Sequence, residues 1–159
     1  MTIPPARRMN LIARAFLITA VIALVMFHLL PMDGSAGQDD IRGWSIWGFF
    51  WDALDPATIA SSPVELMVFG TMISTCLLVL AAPFSLDLLQ KSRPLWWISA
   101  IISATGLGLV GWSCLELQRS SHVSLPKSLI CLLTATALNF IGLLFIRREL
   151  PAKPIIDQH

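Results

Sequence analysis

His28 is the one histidine of the chain set inside a long apolar run, AFLITAVIALVMFHLL. Two chemistries are open to a neutral imidazole there. One ring nitrogen can ligate a haem iron or a chlorophyll-type metal, or hydrogen-bond a quinone, which makes His28 a cofactor-binding candidate. Alternatively, the neutral ring simply bonds to a backbone carbonyl or a neighbouring helix close to a membrane surface. A two-histidine haem would need a second intramembrane histidine, and His122 and His159 lie outside the apolar runs. No resident cofactor is therefore expected.

The other polar candidates are few. Asn139 sits in the middle of an uncharged run and is expected to make a hydrogen bond between helices, with a substrate contact as the alternative. Cys76, Cys114 and Cys131 form no CxxC or Cys/His cluster, so no metal site is expected. Cys114 and Cys131 fall near the same membrane surface. They read as small buried thiols, with a disulfide as the alternative. Asp52, Asp55, Glu65, Glu116 and His122 could converge as a cation site or an acid–base pair. Their spacing matches no metal motif, and the plainer reading is solvated loop and cap residues. No nucleophile is set beside a base, so no enzyme is expected.

These residues hang on long apolar elements. Of 159 residues, 55% are hydrophobic and only 13% charged, with a net charge of +1. A soluble domain carries about 25% charge. Mean hydropathy is +0.72, and the apolar residues are gathered into uncharged runs. The expected fold is an all-α integral membrane protein, a single transmembrane domain over 1–159. Its four transmembrane helices are expected at about 15–32, 66–86, 94–115 and 128–146. Pro31 and Gly34 end the first span and Pro83 kinks or ends the second. The sequence Ser62-Pro63-Val64-Glu65 reads as a capping box with proline at the first helical position. Residues 87–93 and 116–127 read as short loops, and 147–159 as a cytoplasmic tail. Arg7, Arg8 and Arg14 before the first run, with Gly34-Ser35-Ala36 after it, also fit a cleaved secretory leader. The run is long for a leader and ends on proline, so the span is preferred.

Residues 41–55, IRGWSIWGFFWDALD, hold three of the six tryptophans. They are too few to cross a bilayer. At 100° per residue Trp44, Trp47, Trp51 and Leu54 fall on one side, widened by Ile46, Phe49, Phe50 and Ala53. This predicts an amphipathic interfacial helix, part packed on protein and part against lipid or a partner. Trp44, Trp47, Phe50, Trp51 and Leu54 are its contact candidates.

Small residues recur where helices approach closely. Ala100, Ala104 and Gly108 recur every four positions in the third run. Gly70 and Ser74 share a face in the second, and with Asn139 they form the expected helix-packing set. With the N-terminus inside, Arg7, Arg8, Arg14, Lys91, Arg93, Arg147, Arg148 and Lys153 lie inside, and Arg42, Arg119 and Lys127 outside. That bias places both termini in the cytoplasm and the tryptophan helix on the outer face of a multi-pass cell-membrane protein.

No basic stripe points to nucleic acid. Expected partners are the bilayer and a larger membrane protein or a second copy. The leading expectation is a non-enzymatic membrane subunit or accessory scaffold acting through helix contacts. A small oligomeric transporter or channel component is the second reading. A redox, pigment or haem-associated protein using His28 is the third.

Overall fold

The computed structural model describes residues 5–31, 42–56, 63–121 and 125–146. Its regular elements are all helical: α1 (Pro5–Leu29), a 3-10 turn (Gly43–Ser45), α2 (Ile46–Ala53), α3 (Pro63–Ala81), α4 (Leu86–Lys91), α5 (Arg93–Ser121) and α6 (Lys127–Phe145). Three stretches are long and apolar enough to cross a membrane: Arg8–Leu29, Arg93–Arg119 and Lys127–Phe145. Leu66–Ala81 is a shorter apolar helix.

The longest contact is between α1 and α6. Along α1 the buried residues are Ala13, Leu17, Ala20, Leu24 and Phe27, spaced alternately four and three apart. Along α6 and its C-cap they include Ser128, Leu132, Ala135, Asn139, Gly142 and Ile146, with the same spacing. That alternation keeps one seam facing its partner, as in a coiled coil. The two helices run antiparallel: Phe16 stacks on Phe145 at one end, with ring centroids 5.7 Å apart. At the other end Leu24 and Phe27 share a cluster with Leu132. A Cβ on Gly142 would lie 2.8 Å from Leu17 Cδ2, so glycine here gives room to the Leu17 side chain of α1.

α5 packs on α6, and α3 on α5 and α1. Ser99, Ser103, Gly106, Val110 and Cys114 form the buried face of α5. A Cβ on Gly106 would meet the Thr75 side chain, its Cγ2 at 2.7 Å, which marks the close approach of α3 and α5. Trp96 Nε1 donates to the Leu143 carbonyl at 2.9 Å and ties the start of α5 to the end of α6.

Several boundaries differ from the expected ones. α1 runs from Pro5 to Leu29 rather than over 15–32, and the helix expected over 41–55 is a 3-10 turn at Gly43–Ser45 followed by α2 at Ile46–Ala53. α3 ends at Ala81 rather than reaching residue 86, because Pro83 has no N–H to continue the ladder and its ring clashes with the preceding turn. Phe84 and Ser85 N–H both close back on the Ala81 carbonyl, at 3.1 and 3.0 Å. The expected loop 87–93 instead contains α4, whose Leu86 and Leu89 are buried against α1. Its charges suggest a loop, yet two leucines three apart make one helical face. α5 runs on to Ser121, since Glu116, Leu117, Gln118 and Arg119 are ordinary helix formers and no breaker precedes Pro126. At the start of α3 Pro63 is the first helical residue. The capping side chains Ser62 and Glu65 lie outside the described residues. All three cysteines are free thiols, so Cys114 and Cys131 are not bonded to each other.

Large apolar side chains remain on the outside, among them Ile18, Ile22, Leu77, Ile101, Trp112 and Leu144. In water such a surface would aggregate; a lipid environment accounts for it.

Candidate functional site

The end of α1 and the tryptophan helix meet at His28. α1 ends at Leu29, which leaves Leu30, the residue restricted by the following Pro31, outside the helix. Pro31 and Arg42 then form an isolated antiparallel bridge, and Gly43 N–H reaches back to the Leu30 carbonyl at 3.4 Å. The turn Gly43–Ser45 lies directly against α1: a Cβ on Gly43 would fall on the Phe27 carbonyl, 2.7 Å from its carbon. Glycine here serves close approach.

His28 bonds at both ring nitrogens. Nδ1 lies 2.8 Å from the Leu24 carbonyl, four residues back on its own helix. Trp47 Nε1 donates to Nε2 at 3.0 Å. The tautomer follows from the partners. An indole N–H only donates, so Nε2 must be an acceptor; a carbonyl only accepts, so Nδ1 must carry the proton. The ring is therefore neutral, and its one lone pair is directed at Trp47. To ligate a haem or pigment metal, His28 would have to release Trp47. The arrangement resembles the plainer of the two sequence readings, with the indole as second partner.

α2 divides its aromatic arc. Ile46 is buried, while Trp47 and Phe50 are half-buried against the main core. Phe49 sits 6.0 Å from Phe69 of α3, ring to ring. Gly70 faces Phe50: a Cβ there would lie 3.9 Å from Phe50 Cε2, an ordinary contact that does not require glycine. Trp44, Phe49, Trp51 and Leu54 face outward, Trp51 with 68% of its surface exposed. Asp52 and Asp55 are exposed. His122 and the side chain of Glu65 lie outside the described residues, and Glu116 is exposed at the end of α5. Among the described residues no three His, Cys, Asp or Glu side chains gather as a metal set.

Asn139 is fully buried and its Nδ2 donates to Ser103 Oγ at 3.1 Å, joining α6 to α5. Its Oδ1 has no hydrogen-bond partner among the described residues. Asn139→Leu keeps the volume, removes one bond and also removes an unpaired acceptor, while Ser103 can bond back along its own helix. We expect thermal stability in mild detergent to change by less than about 1 kcal/mol.

The small-residue set is divided. Ala100 is buried, but Ala104, Gly108 and Ser74 are exposed, and a Cβ on Gly108 or Gly111 would meet nothing within 4 Å. The contacts inside the chain use Gly106 and Gly142 instead, which a four-residue stripe through Ala100 does not include. Ser99 and Ser103 were the available signal, since polar residues in apolar helices turn toward protein. Between α3 and α5 lies an open groove of about 430 Å³, lined by Met67, Gly70, Thr71, Ser74, Ile101 and Thr105 among others. Thr71 and Thr105 donate to Met67 and Ile101 carbonyls of their own helices, at 2.7 and 2.9 Å.

The chain matches no known protein family, no curated protein and no solved structure.

Proposed function

We propose that this chain is a non-enzymatic integral membrane subunit, a four-span bundle that works through helix contacts with a larger membrane partner or with its own copies. The observation that carries this reading is the unused small-residue face of α5. Gly108 and Gly111 each weaken a helix by roughly 1 kcal/mol relative to alanine, and among the described residues nothing lies within 4 Å of where a Cβ on either would stand. A neighbouring helix from outside would use that space.

In this reading α3, with the turn at Pro83, completes the fourth crossing, and both termini are cytoplasmic. Arg8, Arg14, Lys91 and Arg93 then form the inner collar, where Phe84 and Trp97 stand exposed as interfacial anchors. α2 lies on the outer face, its Trp44, Trp51 and Leu54 toward lipid or partner and its Ile46, Trp47 and Phe50 toward the bundle. A transport path has less support. The Thr71 and Thr105 hydroxyls in the groove are already bonded to their own helices, and Asn139 and Ser103 are fully buried.

Extracted gently from native membranes, the protein is expected to travel with a companion protein or as more than one 17.5 kDa chain. Size-exclusion chromatography with light scattering and mass spectrometry reads this. A monodisperse single chain with no companion would count against the proposal.

A further inference from the structure

We propose that the elbow formed by Pro83, α4 and the start of α5 is a binding surface for anionic phospholipid. Arg14, Lys91 and Arg93 take the headgroup phosphates, and Phe84, Leu88 and Trp97 lie among the acyl chains. This end of the bundle meets the inner leaflet in the membrane crossing read above, on which the surface depends; the helix contacts do not enter it.

One small buried cluster gathers the three cations. Ala13 of α1, Leu89 of α4, Leu143 of α6 and Ile146 pack together, with Trp96 of α5 against them. Arg14 follows Ala13, Lys91 stands two residues after Leu89, and Arg93 stands three residues before Trp96. The depth of Arg14 is fixed too. Ala13 clusters with Leu89 and Leu17 with Leu86, so Arg14 stands at the level of α4. All three cations are exposed, and so is Arg8 further along α1. Among the described residues at this end the one carboxylate is Asp87, exposed in the first turn of α4, where unpaired N–H groups favour a negative charge. Neither these four cations nor Asp87 forms an ion pair among the described residues. The exposed charge is therefore strongly positive and calls for anions from outside the chain.

The apolar surface beside the cations selects which anion. Phe84 leaves 90% of its surface exposed, and Leu88 and Trp97 are exposed as well. Exposed Leu77 and Leu80 lead along α3 to Phe84, and exposed Ile101 and Ile98 lead along α5 to Trp97. Both stripes run from the span toward the cations. A small soluble anion would leave these side chains in water. A phospholipid presents acyl chains and phosphate in the same order, and long Lys and Arg stems reach from the apolar level to the headgroups. The surface is also preset. Trp97 is held edge-on against Trp96 at 4.9 Å, and Trp96 is tied to the Leu143 carbonyl at 2.9 Å.

The test uses the full chain in phosphatidylcholine nanodiscs. They carry about 10 mol% of either brominated phosphatidylglycerol or brominated phosphatidylcholine. Quenching of Trp97, taken as the difference between the parent and Trp97→Phe, is expected to be about twofold stronger with the anionic lipid. In the triple variant Arg14→Gln, Lys91→Gln, Arg93→Gln the two lipids should quench alike. If that variant does not fold, high salt on the parent replaces it and should remove the preference by screening. The double variant Arg119→Gln, Lys127→Gln, exposed cations at the other end, should keep it. Trp112, exposed on the same helix, reports the crossing separately through Trp112→Phe. Trp112 quenched, with Trp97 quenched equally by both lipids, overturns the anionic surface and leaves the crossing intact. Trp112 quenched and Trp97 untouched means that a second copy covers the elbow, which overturns it too. Quenching of neither tryptophan removes the crossing and the surface with it. A preference abolished by millimolar glycerol phosphate at constant ionic strength would make the ligand a soluble anion, and also overturns it.

Discussion

Gly142→Val is expected to lower the melting point of the protein by about 4–10 °C, the loss of roughly 2–3 kcal/mol. The reason lies in the seam between α1 and α6. A Cβ at this position would lie 2.8 and 3.0 Å from Cδ2 and Cγ of Leu17 and 3.3 Å from Cβ of Phe16. Leu17 is fully buried and clustered with Ala82 and Leu86, so it has nowhere to swing. The helices must separate, and the stacked Phe16 and Phe145 rings separate with them. The buried free thiols of Cys76 and Cys114 supply the readout, since a thiol-reactive dye reaches them on unfolding. Gly142→Ala should show the same effect at smaller size. A valine variant that melts like the parent would mean that α1 and α6 do not meet at this position.

Gly43→Ala is the second large effect, expected at about 2–3 kcal/mol. Here the obstruction is backbone. The new methyl meets the Phe27 carbonyl inside α1, and a helical carbonyl cannot turn aside as a side chain can. The 3-10 turn must lift away, which stretches the 3.0 Å Trp47–His28 bond and draws Ile46 out of the core. Gly48, on α2 itself, provides the control. A Cβ there meets nothing within 4 Å, so Gly48→Ala should be silent or slightly stabilising. Equal effects at the two glycines would show that the turn is not seated against α1.

The helical character, the apolar runs and the position of most breaks are legible in the sequence because they rest on local chemistry. Pro31 and Pro83 act through a missing N–H, Pro63 through its fixed φ. The tryptophan segment is recognisable because its length is wrong for a span and its aromatic content wrong for a solvated loop. Which face of each helix turns inward was not legible. On α1, Ile12, Ile18, Ile22 and Val25 are exposed, and Leu17, Leu24 and Phe27 are buried; hydropathy does not separate the two sets. Where lipid is as apolar as the core, the amphipathic signal that orients a soluble helix is lost. Size and polarity still carry information. Ala13, Ala20, Ala135 and Gly142 mark the α1–α6 seam, and Ser99, Ser103 and Gly106 mark the inner face of α5. The regular Ala100, Ala104, Gly108 spacing crosses from the buried face to the open one.

That open face carries the central claim, and site-specific photocrosslinking in native membranes tests it most directly. A photoreactive phenylalanine is placed in turn at Ala104, Gly108, Val110 and Ile98. Discrete adducts to a protein, either a companion or a second copy, are expected from positions 104 and 108. Position 110, which is buried within the chain, and position 98, on the exposed apolar surface away from the small residues, should give none. Gly108→Leu, whose Cβ would meet nothing within 4 Å among the described residues, should abolish the adduct at 104 without lowering the melting point of the isolated chain. Adducts that are absent at 104 and 108, or no stronger there than at 98, would contradict the claim that this protein works through helix contact.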